Sequence, residues 1–389
     1  MSKLRTETKS LITTAAVTAG TAGLFFALDA LRKIPAVAEW GATHISAAYT
    51  AVMGRLMSVI PFSVFELGVI IAVAGGIALV VFGIIGLVKK RWYDVLSGLI
   101  AVVFTVFCVL NLYTLTAGFA YYRDDPPVPV SEREYTSDEV VAAAQYFLDD
   151  FSALSDSFER DENGCVVSPY SLRELSDKIA AEYERLDDGY FYSYTPRAKG
   201  MLNSWLLSDL RLTGVTFLPL AEPNVNSSVP PSGIAQTMAH EMAHAKGVAR
   251  EGDANFVSYY LLLSSDDAYL RYCGYYACFS SMISAVHISG ADEEIAQSIT
   301  YPEAVVAEYR YENSYWNAQP DILGRISEFF NDLYLKLNGA DNGTGSYNDP
   351  GDWDIIDTGE VDDDGRPVVK PVYSDLMKLY FALYEQAGA

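Results

Sequence analysis

Two histidines four residues apart, with a glutamate directly after the first, stand at His240, Glu241 and His244 in the stretch HEMAHAKGVARE (240–251). On an α-helix, positions i and i+4 share one face a turn apart, so both imidazoles can address a single ion. Glu241 is rotated from His240 by about 100°, which sets it beside such an ion rather than on it. A carboxylate there can take a proton from an attacking water, the arrangement of a zinc hydrolase. The chain has four histidines, and the other two stand apart. His44 falls in a loop and reads as solvated; His287 falls on a later helix and reads as packed or exposed.

A catalytic zinc takes three protein ligands and leaves a fourth position open. Gly247 can close the first helix in a left-handed conformation and turn the chain back. Arg250 then occupies the place of the third histidine in the spacing HExxHxxGxxH, and arginine cannot ligate. Glu251 follows it and is the favoured third ligand. Asp253 competes but points to another face. Asn255, one helical turn after Glu251, is expected behind the site, holding a ligand histidine in its tautomer. An oxyanion donor is also needed, and Arg250, Tyr259 and Tyr347 are equal candidates.

These residues need elements to carry them. A motif helix is expected over 232–246, preceded by a short strand in 214–222 and a polar loop. Glu222, Asn224 and Asn226 fit a cleft rim or a plain polar loop equally. A capping box at Thr136 and Glu139 opens a helix running to about 154. Other helices are expected over 171–187, 197–211, 251–265, 267–287, 301–315, 320–337 and 372–386. The stretch 338–371 is rich in Gly, Asp and Asn and reads as a long loop carrying a small hairpin at Asp364–Gly365. Its acidic run matches no EF-hand spacing and reads as solvated. The fold class is mainly α, with a small β element.

Charge divides the chain. Residues 1–121 hold nine Lys/Arg and five Asp/Glu; the remainder holds 18 of the 27 basic residues and 45 of the 50 acidic ones. Nucleic acid would be repelled by such an acidic part, so nucleic-acid binding is set aside. The front reads as a membrane domain, residues 1–121, with transmembrane helices over about 11–31, 64–88 and 92–115. Glycines inside these runs and aromatic residues at their ends suit a bilayer. Lys3, Arg5 and Lys9 before an apolar run also resemble a signal peptide, but the length of the run and the two spans after it favour a retained span. The basic clusters at 3–9 and 89–91 belong in the cytoplasm. The loop 32–63 and everything after 121 then lie outside, although Arg32, Lys33 and Arg55 oppose this mildly. A proline-rich linker, 122–135, leads to an extracytoplasmic domain, 136–389. Cys165, Cys273 and Cys278 of that domain have no zinc-site spacing and read as free thiols.

The spans, "IPFSVFE" (60–66), "GFAYYRDDPP" (118–127), "GVTFLPLAEPNVN" (214–226), "AHEMAHAKGVAREGDANF" (239–256) and "YSDLMKLYFALY" (373–384) together resemble a bacterial family of membrane-anchored HExxH proteins, domain of unknown function 3810. The resemblance covers most of the chain. It implies a zincin-like, zinc-peptidase fold and names no substrate. The E-x-x-A-N piece is also similar to the third-ligand segment of the gluzincin peptidases, although the gap from His244 to Glu251 is short for that group and the acidic 339–371 stretch is an insertion.

The sequence therefore leads to a membrane-embedded zinc (Zn2+) metallopeptidase. His240, His244 and Glu251 are its metal ligands, Glu241 is its general base, and its peptide or protein substrate is unknown. A non-catalytic zinc-binding membrane sensor or assembly protein, or a zinc hydrolase of cell-envelope material, would share the first three ligands.

Overall fold

Each of the three apolar runs folds as a single helix: α1 (Ser2–Arg32), α4 (Val64–Val88) and α5 (Trp92–Thr116). These are features of a computed structural model that describes residues 2–186, 189–291, 302–361 and 367–388. All three are long and apolar enough to cross a membrane, and they expose apolar side chains along their length. The remainder is mostly helical with few strands.

The stretch between the first two spans is not a loop. Pro35 opens α2 (Pro35–Trp40), a π-helical turn covers Gly41–Ser46, and α3 (Ala47–Ser58) follows. Small residues let this hairpin pack closely: Gly41 lies against the Phe119 ring, and Gly54 against Tyr194. His44 sits exposed on the π-helical turn, far in the chain from any other histidine.

Buried charge fastens α4 to the chain beyond the spans. Glu222 accepts from the amides of Val64 (2.9 Å) and Phe65 (2.8 Å), two first-turn donors that have no partner within their own helix. Lys199 neutralises it at 2.7 Å. Glu66 in the same turn accepts from the amides of Leu202 and Asn203. Glu222 is 1% exposed, so removing Lys199 would strand a buried charge, at about 3–5 kcal/mol. Arg32, which closes α1, lies against Gly118 and over the Tyr122 ring, so α1 and α5 end on the same side.

The soluble core is a stack of helices: α6 (Ser137–Ser157), α7 (Leu172–Arg185), α9 (Pro231–Ala245), α10 (Glu251–Leu263) and α11 (Ala268–Ile288), with the C-terminal Asp375–Gln386. Capping boxes start α6 at Thr136 and α7 at Ser171. Phe151, Tyr183, Met238, Met242 and Tyr272 fill the centre, each almost wholly buried. The expected helix over 197–211 is shorter: β1 (Lys199–Gly200) comes first, then α8 (Ser204–Asp209). The stretch from 214 holds two strands rather than one, β2 (Gly214–Phe217) and β3 (Glu222–Val225). They form a three-stranded sheet in the order β1-β3-β2, with β3 parallel to β1 and antiparallel to β2. Two further helices, Glu303–Asn317 and Asp321–Leu337, and an antiparallel pair of strands, β4 (Asp354–Val361) and β5 (Pro367–Val372), complete the described elements. The turn expected at Asp364–Gly365 lies outside the described residues. All four cysteines are free thiols; Cys165, Cys273 and Cys278 are buried.

Candidate metal centre

Pro231 begins α9, where a missing amide proton costs nothing, and the alanines after it keep the helix narrow. It ends in a Schellman turn. Gly247 donates to the His244 carbonyl at 3.1 Å, and Val248 to that of Ala243 at 3.1 Å. Gly247 has φ +92°, and a Cβ there would come within 2.5 Å of the Tyr192 ring. The chain reverses in three residues and re-enters a helix at Glu251, with Arg250 extended before it. This tight reversal is why a gap of only seven residues returns a carboxylate to the histidines. Glu251 also benefits from the first turn of α10, where helix amides favour negative charge.

The three expected ligand atoms converge. His240 Nε2 lies 3.1 Å from Glu251 Oε2, His244 Nε2 lies 3.2 Å from the same oxygen, and the two imidazole nitrogens are 3.1 Å apart. Bonds of about 2.0–2.1 Å at tetrahedral angles hold ligand atoms about 3.3 Å apart. The triangle therefore has nearly the size of one face of a zinc tetrahedron. The donor set also fits, two imidazoles and one carboxylate. His244 Nδ1 faces the Val248 carbonyl at 2.8 Å. A carbonyl can only accept, so Nδ1 carries a proton, and an ion in the triangle would take the place of the proton on Nε2. No other group of three His, Cys, Asp or Glu converges this way among the described residues.

Electrostatics follow from this crowding. Burial pushes the Glu251 carboxyl up, but the imidazoles of His244 and His240 more than reverse this and hold it below the usual carboxylate range. Burial opposes charge on His244, yet Glu251 outweighs it and carries that imidazole up to about 9. Glu241 moves the other way from Glu251. Its burial raises the carboxyl, and the two histidines and Thr216 offset this only in part.

Glu241 does not join the triangle. Its carboxylate turns to the edge strand β2, where Thr216 Oγ1 donates to Oε2 at 2.7 Å. Gly214 makes room for it: a Cβ there would stand 2.6 Å from Oε1. Neither residue was distinguishable in the sequence, since a Gly and a Thr in a strand carry no spacing signal. Around these groups lies a cleft of about 530 Å³, walled by β2 and the turn after it, floored by α9, and bounded opposite by Ser327, Asn331 and Tyr334. Among the described residues, β2 pairs only with β3, so its other edge is free.

Several expectations are corrected. Asn255 does not hold a histidine; it donates to the Tyr347 carbonyl at 2.8 Å, and His240 Nδ1 is buried without a partner. Asp253 is taken by Arg250 at 2.5 Å, which confirms that it faces elsewhere. Arg250 spends its charge on Asp253 and Asp125, outside the cleft. Tyr259 is also outside it, so of the three oxyanion candidates only Tyr347 lines the cleft, its ring lying 6.3 Å from that of His240. Glu222, Asn224 and Asn226 form no rim; all three are buried, bonding the sheet and α4 from within. His287 is exposed near the end of α11 and takes no part. Tyr121 and Tyr334, which the sequence did not single out, also line the cleft.

No curated protein and no solved structure matches this chain. The profile of a family described as "Protein of unknown function (DUF3810)" matches residues 43–353, which run from the π-helical turn through His240, His244 and Glu251 to the edge of the β4–β5 pair. A match over that much of the chain settles membership: the protein belongs to the DUF3810 family.

Proposed function

We propose that this protein is a membrane-anchored zinc metallopeptidase. The reading is carried by one observation, the triangle of His240 Nε2, His244 Nε2 and Glu251 Oε2 with sides of 3.1–3.2 Å, next to a glutamate that stays off it. When bound, zinc supplies a Lewis acid that polarises a carbonyl and lowers the pKa of water toward neutrality. The remaining work belongs to the chain. An extended peptide pairs with the free edge of β2 and lies across α9. Glu241, held by Thr216, takes a proton from the attacking water and passes it to the leaving amine. Burial raises its pKa, which favours a group that must accept a proton. The Tyr347 hydroxyl accepts from Asn331 at 3.2 Å, which leaves its own proton for the developing oxyanion.

The proposal extends to location. Basic residues at Lys3, Arg5 and Lys9 and at Lys89, Lys90 and Arg91 favour the cytoplasmic side, which puts the cleft outside. The helix ends support a common side for both clusters, because Arg32 and Gly118, at the opposite ends of α1 and α5, are in contact.

Glu241→Gln tests the activity. The amide keeps the shape and cannot accept the proton, so zinc content and folding should be retained while cleavage of peptide libraries falls by about 10²–10⁴. Equal behaviour of wild type and variant, with zinc in both, sinks the peptidase reading and leaves the zinc-binding sensor or assembly role.

A further inference from the structure

Ile322, Ile326, Phe329, Phe330, Leu333 and Leu337 fall in one stripe, about 100° wide, on the helix Asp321–Leu337. They are between 46% and 73% exposed. Such a stripe on a soluble surface marks a contact still to be made. Its position says with what.

The same helix is fastened to the ends of the membrane spans. Tyr334 shares hydrogen bonds of 2.8 Å with Tyr113, in the last turn of α5, and with Tyr121 just beyond it. Asn338, which caps the helix, accepts from Arg32 at the end of α1 at 3.0 Å. A second apolar cluster is tied to the remaining span, α4. Leu202 (81% exposed) and Trp205 (60%) lie beside Asn203, whose amide, with that of Leu202, donates to Glu66 in the first turn of α4. Spans of 25 or more residues just cross a bilayer, so their ends lie at its surface. Both apolar clusters are therefore attached within about a turn of that surface. They continue the apolar exterior of the spans themselves, and lipid covers that exterior.

We propose that the helix Asp321–Leu337 lies in the membrane interface, its apolar stripe sunk into the boundary between headgroups and acyl chains, with Leu202 and Trp205 beside it. The occupant of the stripe is a phospholipid bilayer. In-plane helices of this kind bury their apolar face by about 5–10 Å. The opposite side of the helix gives Ser327 and Asn331 to the cleft. The candidate metal centre is thereby separated from lipid by roughly one helix diameter, about 10 Å. This inference concerns the surface of the protein and does not rest on the peptidase reading.

The test uses the full chain in phosphatidylcholine–phosphatidylglycerol vesicles. Spin labels are placed through Phe329→Cys, Phe330→Cys or Glu328→Cys in a background with Cys108, Cys165, Cys273 and Cys278 replaced by alanine, each variant accepted only if its circular dichroism matches the parent. Glu328, exposed on the charged side, reports the water-facing surface. Labels at 329 and 330 should collide with lipid-soluble oxygen several-fold more, relative to a water-soluble nickel chelate, than the label at 328. Equal ratios at all three positions would place the stripe in water and overturn the proposal. Labels at 329 and 330 shielded from both reagents would mean a protein partner covers the stripe, and would overturn it equally.

Discussion

Thr216, on the free-edge strand β2, donates its hydroxyl to the Glu241 carboxylate at 2.7 Å across a separation of 25 residues in the chain. A hydrogen bond to a charged group is worth about 1.5–3 kcal/mol. Thr216→Val should therefore lower kcat/KM by roughly 10–100-fold with zinc content unchanged, and Thr216→Ser should recover most of it. Equal activity in Thr216→Val and wild type would show that Glu241 needs no such support.

The ligand assignment separates two neighbouring carboxylates. His240→Ala or His244→Ala should strip zinc from the purified protein, and Glu251→Ala should weaken its retention strongly. Asp253→Ala should keep the metal, since Asp253 is paired with Arg250 and turned from the triangle. Metal analysis after dialysis checks this. Zinc lost from Asp253→Ala and kept by Glu251→Ala would reverse the assignment.

Gly247→Ala tests the reversal between the two helices. A left-handed residue other than glycine costs about 1–2 kcal/mol, and the Cβ would also meet the Tyr192 ring at 2.5 Å. The variant should melt at lower temperature and bind zinc more weakly, because Glu251 reaches the site only through this turn. A variant with lowered Tm but undiminished zinc affinity would show that the position of Glu251 does not depend on it.

Gly214→Ala crowds the proposed base and, at 2.7 Å, Thr237 Cγ2 beside it on α9. Its Cβ would stand 2.6 Å from Glu241 Oε1, so the carboxylate must move. Peptide cleavage should fall while zinc stays bound, the reverse of the Gly247→Ala pattern. Simultaneous loss of zinc would mean that β2 also supports the ligands.

The proposed topology rests on the basic clusters. A reporter fused after residue 389 should be found outside the cell membrane, and a label in the Lys89–Arg91 turn inside. A cytoplasmic C-terminus would move the cleft to the other side.

The sequence by itself determined what is local. Three apolar runs were long enough to be membrane helices, the capping pair Thr136 and Glu139 started α6, and the i, i+4 spacing fixed His240 and His244 on one face. Glycine's tolerance of a left-handed turn made Gly247 legible, and with it Glu251. Tertiary structure decided whatever depends on residues distant in the chain. Nothing in the spacing shows that Thr216 and Gly214 embrace Glu241, that Glu222 caps a membrane helix instead of rimming a cleft, or that Tyr347, and neither Arg250 nor Tyr259, reaches the cleft. The physical reason is that helix and turn geometry act over a few residues, so they can be read from order alone. Hydrogen bonds between a strand, a span and a helix join only after the chain has packed, and burial then chooses which polar groups must find each other.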